Sequence, residues 1–98
     1  IDGSTEDVLS LIDLGAKWAA FGWRVLKCDG HDLEDIGRVI AEAKSHLGSG
    51  VPNVVLMKTE MGKGVDFMEG THKWHGIAPN DEQLADALSQ LEETLGDY

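Results

Sequence analysis

Apolar side chains recur at intervals of three and four residues in three stretches of the sequence, a spacing typical of amphipathic helices. We expect Asp13, Asp32 and Asn80 to cap these helices, because Asp and Asn side chains accept hydrogen bonds from the first free amides of a helix. The middle helix has the most regular pattern, and Glu34 and Arg38 are placed in it as an i,i+4 ion pair. The three apolar sets are, in chain order, Leu11, Leu14, Trp18 and Phe21; Leu33, Ile36, Ile40, Ala43 and Leu47; and Leu84, Leu88, Leu91 and Leu95.

Two short apolar segments, residues 23–28 and 53–59, predict β-strands on either side of the middle helix. The second contains an unbroken apolar run over residues 54–57, typical of a strand covered on both faces in a parallel sheet. The sequence therefore predicts an α/β fold in three layers, with helices around a short parallel sheet. Sheets usually have about 4–6 strands, so we expect further strands from an upstream part of the domain or from a partner chain.

Composition narrows the possible partners and the compartment. The 98 residues include 8 basic and 18 acidic side chains, a net charge of −10. We expect no nucleic-acid partner, because phosphate contacts are made by Lys and Arg, and no binding to anionic membranes. The single cysteine, Cys28, is expected as a buried strand thiol, which suits a reducing, cytoplasmic location. No segment approaches the roughly 20 apolar residues of a transmembrane helix.

The longest segment without a helix or strand pattern is residues 58–76, KTEMGKGVDFMEGTHKWHG, which directly follows the second strand. Loops longer than about 12–15 residues are usually functional or disordered. This loop has three large apolar anchors, Phe67, Met68 and Trp74. Ligands of open α/β sheets bind outside the carboxyl ends of the strands. We therefore expect the functional site in this loop.

Two histidines and two glycines of the loop are the candidates for chemistry. The imidazole of His75 can donate to a phosphate oxygen or a sugar hydroxyl and exchange protons near neutrality; a hydrogen bond within the loop is the alternative role for it and for His72. Gly62 and Gly64 form either a backbone nest for an anion or only a turn. No metal site is expected from the histidines, since structural zinc usually takes cysteine thiolates and the chain has only Cys28.

The runs KTEMGKGV and THKWHGIAPND resemble the end of the thiamine diphosphate-binding domain of transketolases, most closely the amino-terminal subunit of the split, two-polypeptide form. Three upstream stretches agree with that resemblance: residues 1–8, 17–25 and 29–32. Together they cover nearly the whole chain. The run KWHGIAP after GKG favours transketolases over two other thiamine diphosphate families, the deoxyxylulose phosphate synthases and the oxo-acid dehydrogenases.

The resemblance implies a partial thiamine diphosphate-binding fold, with residues 1–98 as a single truncated α/β domain. The family's Gly-Asp-Gly and Asn signature for the metal and the diphosphate would precede Ile1, so we expect an amino-truncated piece. By resemblance, His75 is the catalytic residue and contacts the diphosphate and the donor sugar. Ile1 would pack against the thiazolium ring, and Gly62 and Gly64 are the further cofactor-binding candidates.

For function, the resemblance implies a parent transferase of carbohydrate metabolism, as in the pentose phosphate pathway. It would move a two-carbon ketol unit between sugar phosphates with thiamine diphosphate and a divalent cation, Mg²⁺. Its partners would be the upstream part of the domain and the complementary subunit, which supplies the acid that activates the aminopyrimidine. The chain alone is then expected to be inactive and to bind no cofactor. The alternative is a small, non-catalytic α/β interaction module that pairs through an exposed sheet edge.

Overall fold

A computed structural model describes residues 2–93; Ile1 and residues 94–98 lie outside this description. The described residues divide into two compact units. We call residues 9–59 the strand unit, and the described residues up to Val8 together with those from Glu60 onward the loop unit. The elements are α1 (Thr5–Val8), α2 (Leu14–Ala20), β1 (Arg24–Asp29), α3 (Leu33–Ser45), β2 (Asn53–Lys58), a 3₁₀ helix (His72–His75) and α4 (Asp81–Gln90).

In the strand unit, β1 and β2 pair in parallel, with Arg24 opposite Asn53 and Asp29 opposite Lys58. The helix α3 connects them, and both α2 and α3 pack against β1. The predicted α/β fold with a short parallel sheet is confirmed, and each strand boundary lies within one residue of its predicted position. Within the described residues, β1 and β2 pair only with each other. The assignment of residues 1–98 to a single truncated domain stays a prediction.

The core of the strand unit forms between β1 and α3. Leu26 and Cys28 of β1 are each 7% exposed, and Val39 of α3 is completely buried. The prediction of a buried thiol at Cys28 is confirmed. Three partly buried apolar residues pack against this centre: Ile36, Ala43 and Val55.

The predicted apolar stripe of the middle helix is wrong at its ends and at its centre. Leu33 and Leu47 are 85% and 74% exposed, and Ile40 is 43% exposed. The buried face passes instead through Val39 together with Ile36 and Ala43, two members of the predicted stripe, so it is rotated by roughly half of the 100° between adjacent residues. Leu47 also lies beyond Ser45, where the helix ends.

All three predicted caps are confirmed. The Asp13 and Asp32 side chains accept hydrogen bonds from backbone amides in the first turns of α2 and α3. Asn80 accepts from the amide of Gln83 at 2.8 Å, and the Gln83 side chain accepts from the amide of Asn80 at 2.9 Å. This reciprocal pair is a capping box, so α4 begins where its sequence predicts.

The first and last predicted stripes are less buried than their spacing suggested. Leu11 and Phe21 lie outside α2, and Phe21 is 85% exposed. On α4, Leu84 and Leu88 are 46% and 60% exposed, while the buried residue is Ala87. The contact face of α4 is therefore lined by a small side chain. The last predicted position of its stripe, Leu95, lies outside the described residues.

A polar clamp, formed by Arg38, Asp35 and the backbone of β1, joins α3 to the sheet. The Arg38 guanidinium donates to Asp35 at 2.7 Å, to Glu42 at 3.3 Å and to a β1 carbonyl at 3.2 Å. The Asp35 carboxylate also accepts from the amide of Asp29 at 2.8 Å. The bond from Arg38, and then the bond from Asp29, lower the pKa of Asp35. The predicted ion pair of Arg38 with Glu34 is wrong, because Asp35 and Glu42 engage the guanidinium.

Candidate functional site

The loop that follows β2 closes on itself. The amide of Gly70 donates to the carbonyl of Met61 at 2.9 Å, which brings the two ends of the segment together. Inside it, the amide of Val65 donates to Gly62 and the amide of Met68 donates to Val65, at 3.2 and 2.9 Å. Val65 is only 6% exposed. We call residues 61–70 the closed loop; its two ends lie close together, as in an Ω-loop.

Gly62 is required by the way the closed loop folds. Its φ is +67°, and a Cβ atom there would collide with the carbonyl of Met68 and lie 2.7 Å from the Met68 Cβ. Glycine alone avoids both problems, since it has no Cβ and adopts positive φ without strain. The close backbone approach at Gly62 is thus to the chain itself. Its role in holding a cofactor stays a prediction.

Gly64 offers its amide to a carboxylate of the same loop. Its φ is +99°, and its N–H donates to Oε1 of Glu69 at 3.0 Å. A backbone amide that donates to a carboxylate is the kind of group that a nest presents to an anion. A diphosphate or phosphate oxygen that approached this amide would compete with Glu69. The cofactor-binding role of Gly64 also stays a prediction.

The 3₁₀ helix is anchored to the closed loop through an aromatic pair. The rings of Phe67 and Trp74 meet edge to face, with centroids 5.3 Å apart. The indole Nε1–H of Trp74 donates to the carbonyl of Phe67 at 3.1 Å. The side chain of Thr71 caps the 3₁₀ helix by accepting from the amide of Lys73 at 3.3 Å. Phe67 and Trp74 thus contact each other within the loop; that they and Met68 tie the loop to a core stays a prediction.

His75 ends this anchored 3₁₀ helix and is exposed, whereas His72 begins it and is partly buried. Within residues 2–93, no hydrogen bond or ion pair engages either imidazole. The loop hydrogen bond considered as an alternative is therefore not formed with the described residues. His75 thus presents its ring nitrogens on a turn whose position is fixed by the residue before it.

Sequence patterns provided no prediction for Gln90, which joins α4 to the closed loop. Its side-chain amide makes hydrogen bonds with both the backbone and the side chain of Asp66. A third bond joins it to Asp86 on the same helix. The spacing of four between Asp86 and Gln90 was the available signal, because such pairs hydrogen-bond on helices. The contact with Asp66 spans 24 residues and had no local signature.

The remaining candidates lie elsewhere. Ile1 is outside the described residues. No group of three or more His, Cys, Asp and Glu side chains in residues 2–93 is arranged to hold a metal ion.

A shallow cavity of about 400 Å³ lies in the strand unit beside Ile40, Leu47 and Val51, before the amino end of β2. No helix in the described part of the chain is long and apolar enough to cross a membrane. The cytoplasmic location stays a prediction.

Matches to known proteins cover nearly the whole chain. The family model of the transketolase thiamine diphosphate binding domain matches residues 1–96. One subunit of the apulose-4-phosphate transketolase of Phocaeicola vulgatus is 38% identical over 95 residues, which are 97% of this chain and 33% of that protein. The 6-deoxy-6-sulfo-D-fructose transketolase subunit SqwG of Clostridium sp. strain MSTE9 is 37% identical over 92 residues, 94% of this chain and 33% of that protein.

A similar match extends to longer enzymes. Transketolase 1 of Escherichia coli is 34% identical over 92 residues, 93% of this chain and 13% of that protein. The chain thus spans about a third of the length of the two subunits and a smaller share of the longer enzyme. Since the family model covers almost every residue and the two subunits match this chain nearly end to end, this chain belongs to the transketolase family, within its thiamine diphosphate-binding domain.

Proposed function

We propose that this chain forms one wall of the thiamine diphosphate pocket of a transketolase, which moves a two-carbon ketol unit between sugar phosphates. The observation that carries the proposal is the exposed imidazole of His75 on a turn anchored by Trp74, in a chain of this domain family. An imidazole so placed can donate to a phosphate oxygen or a hydroxyl without rearrangement of its turn.

Two exposed residues of the loop unit, His75 and Gly64, each have a group that can donate to an anionic ligand. His75 would donate to a diphosphate oxygen or to a hydroxyl of the donor sugar. The Gly64 amide would donate to a second oxygen, in place of the Glu69 carboxylate that it now bonds. Thiamine diphosphate, when bound, supplies the chemistry that breaks the carbon–carbon bond next to a carbonyl. The chain's part is to bind and orient.

The negative net charge of the chain and the small size of its described sheet suggest that it depends on partners. Its net charge of −10 opposes the approach of a diphosphate, and no metal-ligand cluster lies among residues 2–93. The proposal therefore places Mg²⁺ and most diphosphate contacts on other parts of the enzyme. The similar proteins of Phocaeicola and Clostridium are named as subunits, which supports a complementary subunit here. By itself, the chain is then inactive.

A second candidate is a non-catalytic interaction module. It is favoured by the sheet, because among the described residues β1 and β2 pair only with each other. Parallel strands are normally covered and paired on both sides, and an open edge is a template for another strand. The same feature fits the first proposal, in which other parts of the transketolase complete the sheet.

Calorimetry separates the two candidates. Thiamine diphosphate with Mg²⁺ is titrated first into the chain alone and then into the chain co-expressed with the upstream part of the domain and a complementary transketolase subunit. The transketolase proposal expects no binding to the chain alone, and binding with ketol transfer in the assembly. Micromolar binding by the chain alone would contradict the dependence on partners, and an inactive assembly would favour the module.

Substitution of His75 tests the observation on which the proposal rests, the exposed imidazole on the anchored turn. In the active assembly, His75→Ala should lower kcat/KM for the donor by about 10–100-fold, as expected when a hydrogen bond to a charged group is lost. His72→Ala is the matched control, since it removes an imidazole from the same 3₁₀ helix; its effect should be several-fold at most. Equal losses from the two variants would mean that the turn, rather than His75, matters.

A further inference from the structure

The side chain of Gln90, at the end of α4, makes three hydrogen bonds that use its whole amide group. Its Oε1 accepts from the backbone amide of Asp66 at 2.8 Å. Its Nε2 donates to Oδ1 of Asp66 at 2.9 Å and to Oδ1 of Asp86 at 3.1 Å. A primary amide has two N–H donors, and both are used here. Both side-chain partners are carboxylates, which only accept, so the orientation of the amide is fixed by its partners.

Contacts continue from Asp66 to the candidate site. Asp66 lies between Val65, which is buried, and Phe67, which holds Trp74 through its ring and its carbonyl. Trp74 is bonded directly to His75 in the sequence. Each step is either a covalent bond or a contact within the loop unit.

We propose that Gln90 is a positioning residue, which holds His75 in place by fixing Asp66 and, through it, the pair formed by Phe67 and Trp74. The part of this proposal that concerns catalysis rests on the proposed role of His75. Gln90 itself touches no reacting group.

A glutamine suits this position better than its close relatives. Glutamate has the same shape and still accepts from the Asp66 amide, but when ionised it has no donor and brings a third carboxylate beside Asp66 and Asp86. Alanine would leave the Asp66 amide to water, because Asp66 is exposed. We therefore expect Gln90→Glu to loosen the closed loop more than Gln90→Ala, although it changes the shape less.

Hydrogen exchange and NMR on the 98-residue chain test whether Gln90 fixes Asp66 and the pair formed by Phe67 and Trp74. Gln90→Ala should raise the exchange rate of the Asp66 amide by about tenfold, as expected for the loss of the two hydrogen bonds between Gln90 and Asp66, which are open to water. The Trp74 indole N–H and the His75 ring signals should shift in the same variant. Gln90→Glu should shift the Trp74 and His75 signals more than Gln90→Ala does, and these shifts should decrease at acid pH, where the introduced carboxyl regains a donor.

Two controls keep the result interpretable. Ala85→Glu adds one negative charge to an exposed position of α4 and should leave Asp66 and Trp74 unchanged. The amide of Leu26 in β1 reports whether the strand unit is still folded. Unchanged Asp66 exchange in both Gln90 variants would overturn the proposal, and so would faster Asp66 exchange with unchanged Trp74 and His75 signals.

Kinetics in the assembled enzyme test whether Gln90 positions His75 for catalysis. Gln90→Ala should raise KM for the donor sugar phosphate several-fold while KM for the acceptor changes little. If His75→Ala has no effect on the donor, the proposed function of His75 fails, but the exchange result still decides whether Gln90 fixes the loop. If His75→Ala impairs donor use and Gln90→Ala does not, the positioning role fails alone.

Discussion

The two units of this chain are stabilised in different ways. In the strand unit, a backbone ladder joins β1 to β2, and Val39 is buried against Leu26 and Cys28. In the described part of the loop unit, the buried apolar side chains are Val65 and Ala87. There the chain is held by individual backbone and side-chain hydrogen bonds and by turns with glycine at positive φ.

The difference teaches where single substitutions should matter. An apolar core spreads its stabilisation over many weak contacts, so that a neighbour can partly fill a small gap. In a closed loop held by individual hydrogen bonds and one close backbone approach, no neighbouring contact can replace one that is lost. The segment that carries His75 should therefore respond more sharply to substitution than its exposure suggests.

The largest effect is expected at Gly62. Gly62→Ala combines an unfavourable positive φ, about 1–2 kcal/mol, with overpacking against Met68, about 1–3 kcal/mol. We expect a loss of about 3 kcal/mol in the local stability of the closed loop. Hydrogen exchange of the Met68 and Gly70 amides measures it, because both amides donate inside the loop.

Gly70 provides a matched control for that substitution. Its φ is also +67°, but a Cβ atom there would meet only the Glu60 side chain, at an ordinary 3.7 Å. Gly70→Ala should therefore cost only the conformational part, about 1–2 kcal/mol. Equal effects at Gly62 and Gly70 would show that the approach of Met68 contributes nothing.

A smaller effect is expected in the core of the strand unit. Val39→Ala removes two methyl groups from a completely buried site and should lower the free energy of unfolding by about 2 kcal/mol. Ile40→Ala removes more atoms from a site that is 43% exposed, yet it should cost only about 1 kcal/mol. Urea unfolding followed by circular dichroism measures both. The reverse order would favour the helix phase that the sequence predicted.

Local signals predicted the strand unit well. The apolar run at residues 54–57 and the caps Asp13 and Asp32 depend on neighbours close in sequence, and each was found where predicted. Helix phase was less predictable. Val39 and Ile40 are adjacent and similarly apolar, and only packing against β1 decides which of them is buried.

Contacts distant in sequence account for what was missed at the candidate site. The bond between Asp66 and Gln90 joins residues 24 apart, and no periodicity indicates it. Gly62 was predicted to form either a backbone nest for an anion or only a turn, and no pattern indicated that the backbone of Met68 approaches it. The role predicted for His75 came from the family resemblance, because its residue type alone favoured a loop hydrogen bond, and that role stays a prediction.

The smallest predicted effect concerns the polar clamp and its dependence on pH. Arg38, and then the Asp29 amide, lower the pKa of Asp35 below its ordinary value of about 3.8. A carboxyl whose pKa is lower in the folded state stabilises the fold above the unfolded value, and this contribution disappears as the pH falls through the folded value. Asp35→Asn should therefore lower the unfolding temperature at pH 7 by a few degrees at most.

The difference between Asp35→Asn and the wild type should then narrow below about pH 4 and vanish once Asp35 is protonated. Added salt should reduce it at pH 7, because the clamp is open to solvent. Glu34→Gln is the matched control: it removes a charge from the same turn without touching Asp29 or Arg38, and at pH 7 it should change the unfolding temperature less. Thermal unfolding from pH 2 to pH 7 compares the three chains. A constant difference across that range would mean that Asp35 stabilises α3 by its shape and not by its charge.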